Sequence, residues 1–137
     1  MAIQSPTILI IDDEPAIINL FKRFGLKYFT EATFVGVNSP DEAIEYLNAT
    51  QPATPSMILL DIDFNGMPAG LDLLPIIAGR VRQNAPIIML TNSNRLPDIS
   101  RAFSLGATAF TEKPDVLPDW KKYIETIRSY WLNQPLT

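Results

Sequence analysis

The chain has 137 residues, of which 47% are hydrophobic and 19% charged, and its formal net charge is −4. This length and composition predict one compact domain with a full hydrophobic core, and the lack of a basic cluster argues against nucleic-acid binding. The sequence contains no histidine and no cysteine, so disulfides and thiolate chemistry are excluded, and any bound metal must be held by oxygen atoms.

The N-terminal residues 1–7 have neither the basic region nor the apolar region of a signal peptide. No segment of the chain approaches the roughly 20 apolar residues that span a bilayer. We therefore expect a cytoplasmic protein that does not enter a membrane.

Short apolar runs predict the strands of a sheet. The clearest run is Met-Ile-Leu-Leu, whose four large apolar residues are typical of a strand that is covered on both faces, as in a parallel sheet. In chain order, strands are predicted at 8–11, 33–37, 57–60, 86–90 and 107–111.

Helical patterns lie between these strands. The first helix begins near Pro15, a residue suited to a first turn. Its predicted core stripe is Ile17, Phe21, Phe24 and Tyr28. The second helix opens with Ser-Pro-Asp-Glu at 39–42, which has the form of a capping box.

Three further helices complete the pattern. The third is predicted from 71 to about 83, and Pro75 within it predicts either a late start or a kink. The fourth runs from about 97 to 105 and ends at Gly106, and the fifth runs from about 118 to 133. The fifth helix presents an apolar face made of Trp120, Tyr123, Ile124, Ile127 and Trp131.

Five strands that alternate with five helices predict an α/β fold. Parallel neighbours require right-handed crossovers, so we expect a doubly wound, five-stranded parallel sheet of the flavodoxin-like type. We expect residues 1–137 to form a single domain with a core of about 7–132.

Polar side chains follow three of the strands. Asp12 and Asp13 follow the first strand, Asp61 follows the third, and Thr91 follows the fourth. Ligands of open α/β sheets gather at the carboxyl ends of the strands, so these side chains are expected to converge. Three carboxylates in one pocket repel one another, and a hard divalent cation such as Mg²⁺ relieves that repulsion.

The same residues suggest phosphoryl chemistry. Mg²⁺ usually takes only one or two carboxylates, so a third acid is free to act as a nucleophile and form an aspartyl phosphate. Phosphoryl transfer also needs positive charge and donors around the transferred oxygens. Lys113, after the fifth strand, and the hydroxyl of Thr91 are placed to supply them.

These motifs together resemble the receiver domain of two-component response regulators. The likeness extends over about residues 7–132, with four motifs in order at successive strand ends. The matching segments are 8–15 (Ile-Leu-Ile-Ile-Asp-Asp-Glu-Pro), 59–61 (Leu-Leu-Asp), 90–91 (Leu-Thr), 102–107 (Ala-Phe-Ser-Leu-Gly-Ala) and 112–114 (Glu-Lys-Pro).

The resemblance implies a role for each matching residue of the acidic site. Asp61 would be the phosphoacceptor. Asp13 would bind Mg²⁺ directly and Asp12 through water, and the backbone carbonyl of Asp63 would complete the protein ligands. A partner histidine kinase or phosphotransfer protein would donate the phosphoryl group.

The resemblance also implies how the signal leaves the site. Lys113 would pair with the phosphoryl group, Thr91 would follow it, and Phe110 would act as an aromatic switch. The domain would be a stand-alone signalling module that catalyses only its own phosphorylation and dephosphorylation. Its output would be a face of the fourth helix, fifth strand and fifth helix that binds a target protein or a second copy. The residues expected on that face are Arg95, Arg101, Lys121, Lys122, Tyr123, Tyr130 and Trp131, although Tyr130 and Trp131 have the alternative of completing the core.

Three positions depart from the pattern of the family. Asn65 stands where proline is usual, and Gly70 follows Asp61 by one residue more than the common spacing, which predicts an enlarged loop. Asn92 replaces a small residue after Thr91, and its amide is expected to shield the acyl phosphate from water. Replacing Asn92 by alanine should then shorten the lifetime of the phosphorylated state.

Two alternatives remain open. The segment Asp-Ile-Asp at 61–63 also resembles haloacid-dehalogenase-type phosphatases, in which Asp61 would be the nucleophile and Asp63 the general acid. Against this, that family places its metal-binding acids after the lysine, whereas Asp12 and Asp13 precede it. The other alternative is a degenerate receiver that serves only as a docking module.

Overall fold

The computed structural model describes residues 5–51, 54–63, 69–81, 85–91 and 96–133. Its five strands are β1 Thr7–Ile11, β2 Thr33–Val37, β3 Met57–Asp61, β4 Ile87–Thr91 and β5 Ala109–Glu112. All pairs are parallel, and the order across the sheet is β2-β1-β3-β4-β5. The predicted doubly wound sheet is therefore confirmed.

Five helices alternate with the strands. They are α1 Pro15–Tyr28, α2 Pro40–Ala49, α3 Ala69–Ala78, α4 Leu96–Ser104 and α5 Leu117–Leu132. Helices α2, α3 and α4 pack with one face of the sheet in one apolar cluster, and α1 and α5 pack with the other face in a second cluster. None of the helices in the described ranges is long and apolar enough to cross a membrane.

The first helix begins at Pro15 as predicted, but its most buried face differs from the predicted stripe. The residues of α1 that are buried are Ile18, Phe21 and Gly25, whereas the other predicted stripe residues are only half-buried. The reason is a close approach, because a Cβ atom on Gly25 would collide with the ring of Phe34 in β2. A stripe drawn from large apolar residues alone cannot reveal such a contact.

Helix boundaries depend on capping and on tertiary contacts. The hydroxyl of Ser39 accepts a hydrogen bond from the backbone N–H of Glu42 at 3.1 Å, so the predicted N-cap of α2 is confirmed. Of the two alternatives predicted at Pro75, the late start is excluded, because α3 begins at Ala69 and contains Pro75. Its first turn is tied to the end of β3 by a 2.8 Å hydrogen bond from Gly70 N–H to the carbonyl of Ile62.

The C-terminal third matches its pattern closely. Gly106 follows α4 with a φ of 120°, a conformation that a residue without a Cβ adopts readily. Its predicted role in ending the helix is therefore confirmed. Strand β5 begins at Ala109, two residues later than predicted, because Ala107 N–H still bonds back to the carbonyl of Ala102 in α4. On α5, the side chains of Trp120, Ile124 and Ile127 are buried, as the apolar face predicted.

Candidate functional site

Side-chain alternation brings three charged residues to one side of the sheet edge. Side chains of a strand point to opposite faces in turn. Asp12 lies two residues beyond Ile10, and Asp61 lies two residues beyond Leu59, so each aspartate is on the same face as that residue. Ile10 and Leu59 both belong to the apolar cluster under α1 and α5. Lys113 follows β5, so all three side chains meet above that cluster at the carboxyl ends of β1, β3 and β5.

Lys113 is the centre of this group. Its Nζ lies 2.8 Å from Asp12 Oδ2, 3.2 Å from Asp61 Oδ2 and 3.8 Å from Glu14 Oε1. Asp12, Asp61 and Lys113 are buried, whereas the side chain of Glu14 is 59% exposed. One buried ammonium group is therefore shared between two buried carboxylates, with a third at the rim.

Backbone donors orient the two buried carboxylates. Glu14 N–H donates to Asp12 Oδ1 at 2.9 Å, and Asp63 N–H donates to Asp61 Oδ1 at 3.2 Å. In both residues the other oxygen faces Lys113. Asp12 Oδ2 is buried and makes no aligned hydrogen bond within the described residues, although it forms the ion pair with Lys113.

Burial and mutual repulsion shift the ionisation of this group. Burial raises the pKa of Asp61 to about 7, and the negative charge of Asp12 adds to the effect while Lys113 opposes it. Burial likewise raises the pKa of Asp12, and the close contact with Lys113 opposes this effect. Burial by itself would lower the pKa of Lys113, but its contacts with the two aspartates outweigh this and raise it. The lysine is therefore held in its charged form. Its single positive charge does not fully offset the burial and mutual repulsion of the two carboxylates.

The acidic cluster fits a hard divalent cation. One carboxylate oxygen each from Asp12, Asp13 and Asp61 lie within 4.8 Å of one another. All three donors are oxygen atoms, which favours Mg²⁺, Mn²⁺ or Ca²⁺ over softer metals. The buried Asp12 Oδ2 that lacks an aligned hydrogen bond is the kind of group that such an ion satisfies. Asp63 is half-buried beside the cluster, and its N–H donates to the Asp61 carboxylate.

The two predicted switch residues lie on the neighbouring strands β4 and β5. Thr91 is buried at the end of β4, and its carbonyl accepts a 2.9 Å hydrogen bond from Lys113 N–H. Phe110 is half-buried and packs on the cluster under α2, α3 and α4. Asn65, Asn92 and Arg95, which the sequence also singles out, lie outside the described residues.

Gly70 is a site residue whose role the sequence did not reveal. A Cβ atom at this position would collide with the backbone oxygen of Asp61 and the backbone of Ile62. The start of α3 therefore lies directly against the end of β3 that carries the aspartate. The spacing of Gly70 from Asp61 was the only signal available in the sequence.

A pair of hydroxyl groups connects α5 to the strands beneath the site. Thr111 Oγ1 donates to the carbonyl of Met89 at 3.0 Å and lies 2.7 Å from Tyr123 Oη. Because Thr111 has one hydroxyl proton and uses it on Met89, Tyr123 must be the donor to Thr111. Tyr123, predicted on a signalling face, is thus half-buried with its hydroxyl bonded inside the fold.

Replacing Tyr123 by phenylalanine removes this donor and is expected to lower the free energy of unfolding by about 1 kcal/mol. Urea denaturation measures the change. Tyr46→Phe is the matched control, because Tyr46 is also half-buried but its hydroxyl has no hydrogen bond among the described residues. Equal losses in the two variants would contradict the assignment.

Sequence comparison identifies relatives among regulatory proteins. The family model of the response regulator receiver domain matches residues 8–125. The probable methanogenesis regulatory protein FilR2 of Methanothrix harundinacea is 29% identical over 133 residues, which cover 91% of this chain and 83% of that protein. The transcriptional regulatory protein YvrH of Bacillus subtilis is 32% identical over 111 residues, which cover 81% of this chain and 44% of YvrH.

Solved structures share the fold. The phosphorylated cyanobacterial phytochrome response regulator RcpA superposes with a TM-score of 0.81 at 22% identity, covering 96% of each chain. The Mn²⁺-bound form of the response regulator Rcp1 superposes with a TM-score of 0.78 at 22% identity, covering 96% of this chain and 97% of that one. At this identity, the likeness establishes the fold alone.

Proposed function

The chain belongs to the family of response regulator receiver domains, and on this premise we propose that Asp61 accepts a phosphoryl group from a partner protein. The observation that carries the proposal is the buried Lys113 ammonium group, shared between Asp12 and Asp61 at the carboxyl edge of the sheet. We take residues 1–137 as one receiver domain with a core of about 7–132.

In the proposed reaction, a carboxylate oxygen of Asp61 attacks phosphorus. An oxygen–phosphorus bond forms, the phosphorus–nitrogen bond of a phosphohistidine breaks, and the electron pair leaves with the histidine nitrogen. The histidine must belong to a histidine kinase or phosphotransfer protein, because this chain has none. Lys113 provides positive charge beside the transferred oxygens, where phosphoryl transfer needs it.

The acidic cluster would hold the metal ion of this reaction. The carboxylates of Asp12, Asp13 and Asp61, with the backbone carbonyl of Asp63, are the proposed ligands of Mg²⁺. A bound divalent cation supplies charge that neutralises the carboxylates and the phosphoryl oxygens. The proposal is supported by the oxygen-only donor set. It is also supported by the two buried carboxylates, whose negative charges exceed the single positive charge of Lys113.

Phosphorylation is proposed to act on the rest of the domain through Thr91 and Phe110. The Thr91 hydroxyl would move to the phosphoryl group, and Phe110 would rotate into the space that this movement opens. Such a step biases an equilibrium between two conformations rather than creating a new one. The protein is thus mainly a signalling module, whose chemistry is limited to gaining and losing its own phosphoryl group.

Intact-mass measurement tests the proposal. With acetyl phosphate and MgCl₂, the chain should gain one phosphoryl group, and EDTA should prevent the gain. Sustained hydrolysis of p-nitrophenyl phosphate would instead favour the phosphatase alternative, to which the comparisons lend no support. A chain that gains no phosphoryl group and hydrolyses no ester would leave the docking-module alternative.

Three of the residues expected on the output face make contacts with other parts of the fold. Arg101 lies 3.6 Å from Asp72 of α3, and Lys121 Nζ lies 5.4 Å from the centre of the Tyr28 ring of α1. Trp131 packs on the ring of Phe29 with centroids 5.6 Å apart, which supports the core alternative for that residue. Arg101 thus contacts α3, Lys121 contacts α1, and Trp131 contacts the residue that follows α1.

We keep the other described members of the set in the proposed output face. Lys122 and Tyr123 line a cavity of about 350 Å³ between β5 and α5, and Tyr130 is 36% exposed. We propose that this reduced face binds a target protein or a second copy of the chain, and that phosphorylation strengthens the binding. Aromatic side chains beside basic ones are typical of binding hot spots.

The homodimer version predicts that beryllofluoride with Mg²⁺ shifts the chain from monomer to dimer in sedimentation. Tyr130→Ala should weaken that dimer about tenfold, which corresponds to about 1.4 kcal/mol. Ile76→Ala is the control, because Ile76 of α3 is 38% exposed and lies outside the face. A monomer in every condition would discard the homodimer and leave only a different protein as partner.

A further inference from the structure

Strand β2 forms one edge of the sheet, and the backbone groups of two of its five residues face outward. Thr33 N–H donates to the carbonyl of Pro6 at 2.9 Å, and the carbonyl of Val37 accepts from Asp12 N–H at 3.1 Å. In a parallel pair the backbone groups of alternate residues point to the same neighbour. The N–H and C=O groups of Phe34 and Gly36 therefore point away from β1. Within the described ranges, no strand pairs with β2 on that side.

This edge lacks most of the features that keep other strands away. Natural edge strands are usually protected by charged residues, proline or a bulge. Strand β2 reads Thr-Phe-Val-Gly-Val, which is uncharged, contains no proline and is rich in residues with high β-propensity. The opposite edge strand, β5, ends in an exposed glutamate. The β2 edge is therefore the side of the sheet where another strand can add.

A groove runs beside this edge, on the α1 side. It encloses about 330 Å³ and is lined by Lys22, Leu26, Ala32, Thr33 and Phe34. Leu26 is 79% exposed, more than any other large hydrophobic residue in the described part of the chain. An apolar side chain placed in the groove would remove Leu26 from water, which favours binding.

The positive charge of α1 beside the groove favours an acidic partner. Helix α1 carries Lys22, Arg23 and Lys27 and has no acidic residue from 15 to 28, although the whole chain has a net charge of −4. The next acid, Glu31, is already bound by Arg128 through hydrogen bonds of 3.0 and 2.6 Å. Lys22 forms no ion pair with a described residue, so its charge is available to an acidic ligand.

We propose that the β2 edge binds an extended, acidic segment of a partner protein, which adds to the sheet as a further strand. One side chain of the segment, an apolar one, would enter the groove beside Leu26, and an acidic side chain would pair with Lys22. This mode of recognition is β-strand addition, in which the backbone supplies affinity and alternate side chains supply specificity. The proposal is independent of phosphorylation.

The spacing of the two contacts defines the sequence of the ligand. Lys22 and Leu26 are one helical turn apart, about 6 Å along α1. Two residues of an extended strand span about 6.6 Å, and side chains two apart point to the same face. The segment should therefore carry an acid and a large apolar residue separated by one residue. A second copy of the chain is disfavoured, because pairing two β2 edges would bring two positively charged α1 helices together.

Selection from a random peptide library tests the proposal with the full-length chain. Peptides selected on the wild type should carry the acid and the apolar residue two positions apart. Their affinity should fall at least about tenfold on Leu26→Glu and on Lys22→Glu. Leu132→Glu, at another exposed leucine, and Lys27→Glu, on the same helix outside the groove lining, are the matched controls. Circular dichroism checks that each variant is folded.

A second measurement tests the backbone part of the proposal. Methylating the amide nitrogens of alternate peptide residues should abolish binding in one of the two registers only, because only one set of amides faces β2. In amide NMR spectra, Phe34 and Gly36 should shift most. Failure to select any peptide, or peptides that bind both groove variants as well as the controls, would overturn the proposal. Self-association that Leu26→Glu abolishes would overturn it in favour of a second copy.

Discussion

Replacing Asp61 by asparagine is expected to reduce labelling by acetyl phosphate from one phosphoryl group per chain to none. The asparagine amide keeps the shape of the side chain but is not a nucleophile toward phosphorus. The change also removes one of the two buried negative charges beside Lys113, so the variant should remain folded. Intact-mass spectra of wild type and variant, each with MgCl₂, measure the difference.

The control for this experiment is Asp72→Asn, which makes the same chemical change at an exposed position of α3. It should be labelled like the wild type. Labelling of Asp61→Asn at the wild-type level would contradict the assignment and would point to another carboxylate of the cluster, Asp12 or Asp13, as acceptor.

Replacing Gly70 by alanine is expected to lower the free energy of unfolding by about 3 kcal/mol, the upper part of the range for overpacking. The added Cβ would meet the backbone of Asp61 and Ile62, which cannot move aside as the end of a side chain can. The displaced end of β3 carries the proposed acceptor, so labelling with acetyl phosphate should slow as well. Urea denaturation and intact-mass time courses measure the two effects.

Gly79→Ala is the matched control, since it adds the same methyl group just after the same helix. There the new Cβ would lie 3.6 Å from the carbonyl oxygen of Pro75, an ordinary contact. Its stability should stay within about 0.5 kcal/mol of the wild type, as for most surface changes. If Gly70→Ala is as stable and as readily labelled as Gly79→Ala, then α3 does not support the end of β3.

The charged residues of the site could be predicted because their positions follow from local patterns. Asp12, Asp61 and Lys113 each come directly at or after the end of a strand, and the ends of parallel strands meet at one edge. The structure brings these residues within a few ångströms of one another, as expected. Their chemical roles remain predictions, and Asn92 lies outside the described residues.

Other features depend on contacts between elements. The apolar pattern of α5 does not show that the hydroxyl of Tyr123 is bonded to Thr111 of a neighbouring strand. Pro75 predicted either a late start or a kink in α3, and the late start is excluded because the helix begins at Ala69, where a hydrogen bond from Gly70 N–H to the carbonyl of Ile62 holds its first turn. In both cases a contact with a neighbouring element of the fold supplies information that the local pattern lacks.

The amino-acid sequence by itself determined the order of strands and helices along the chain, the parallel sheet, and the acids and the lysine at its carboxyl edge. These depend on hydrophobic periodicity and on polar residues that end apolar runs, both of which are local properties. Only the tertiary structure decided that one oxygen of each buried aspartate faces Lys113, that Gly70 lies against the backbone of Asp61, and that β2 leaves an open edge. The physical reason is that close packing and the order of strands across the sheet bring together residues from different segments. No single segment contains the information about which residues will meet.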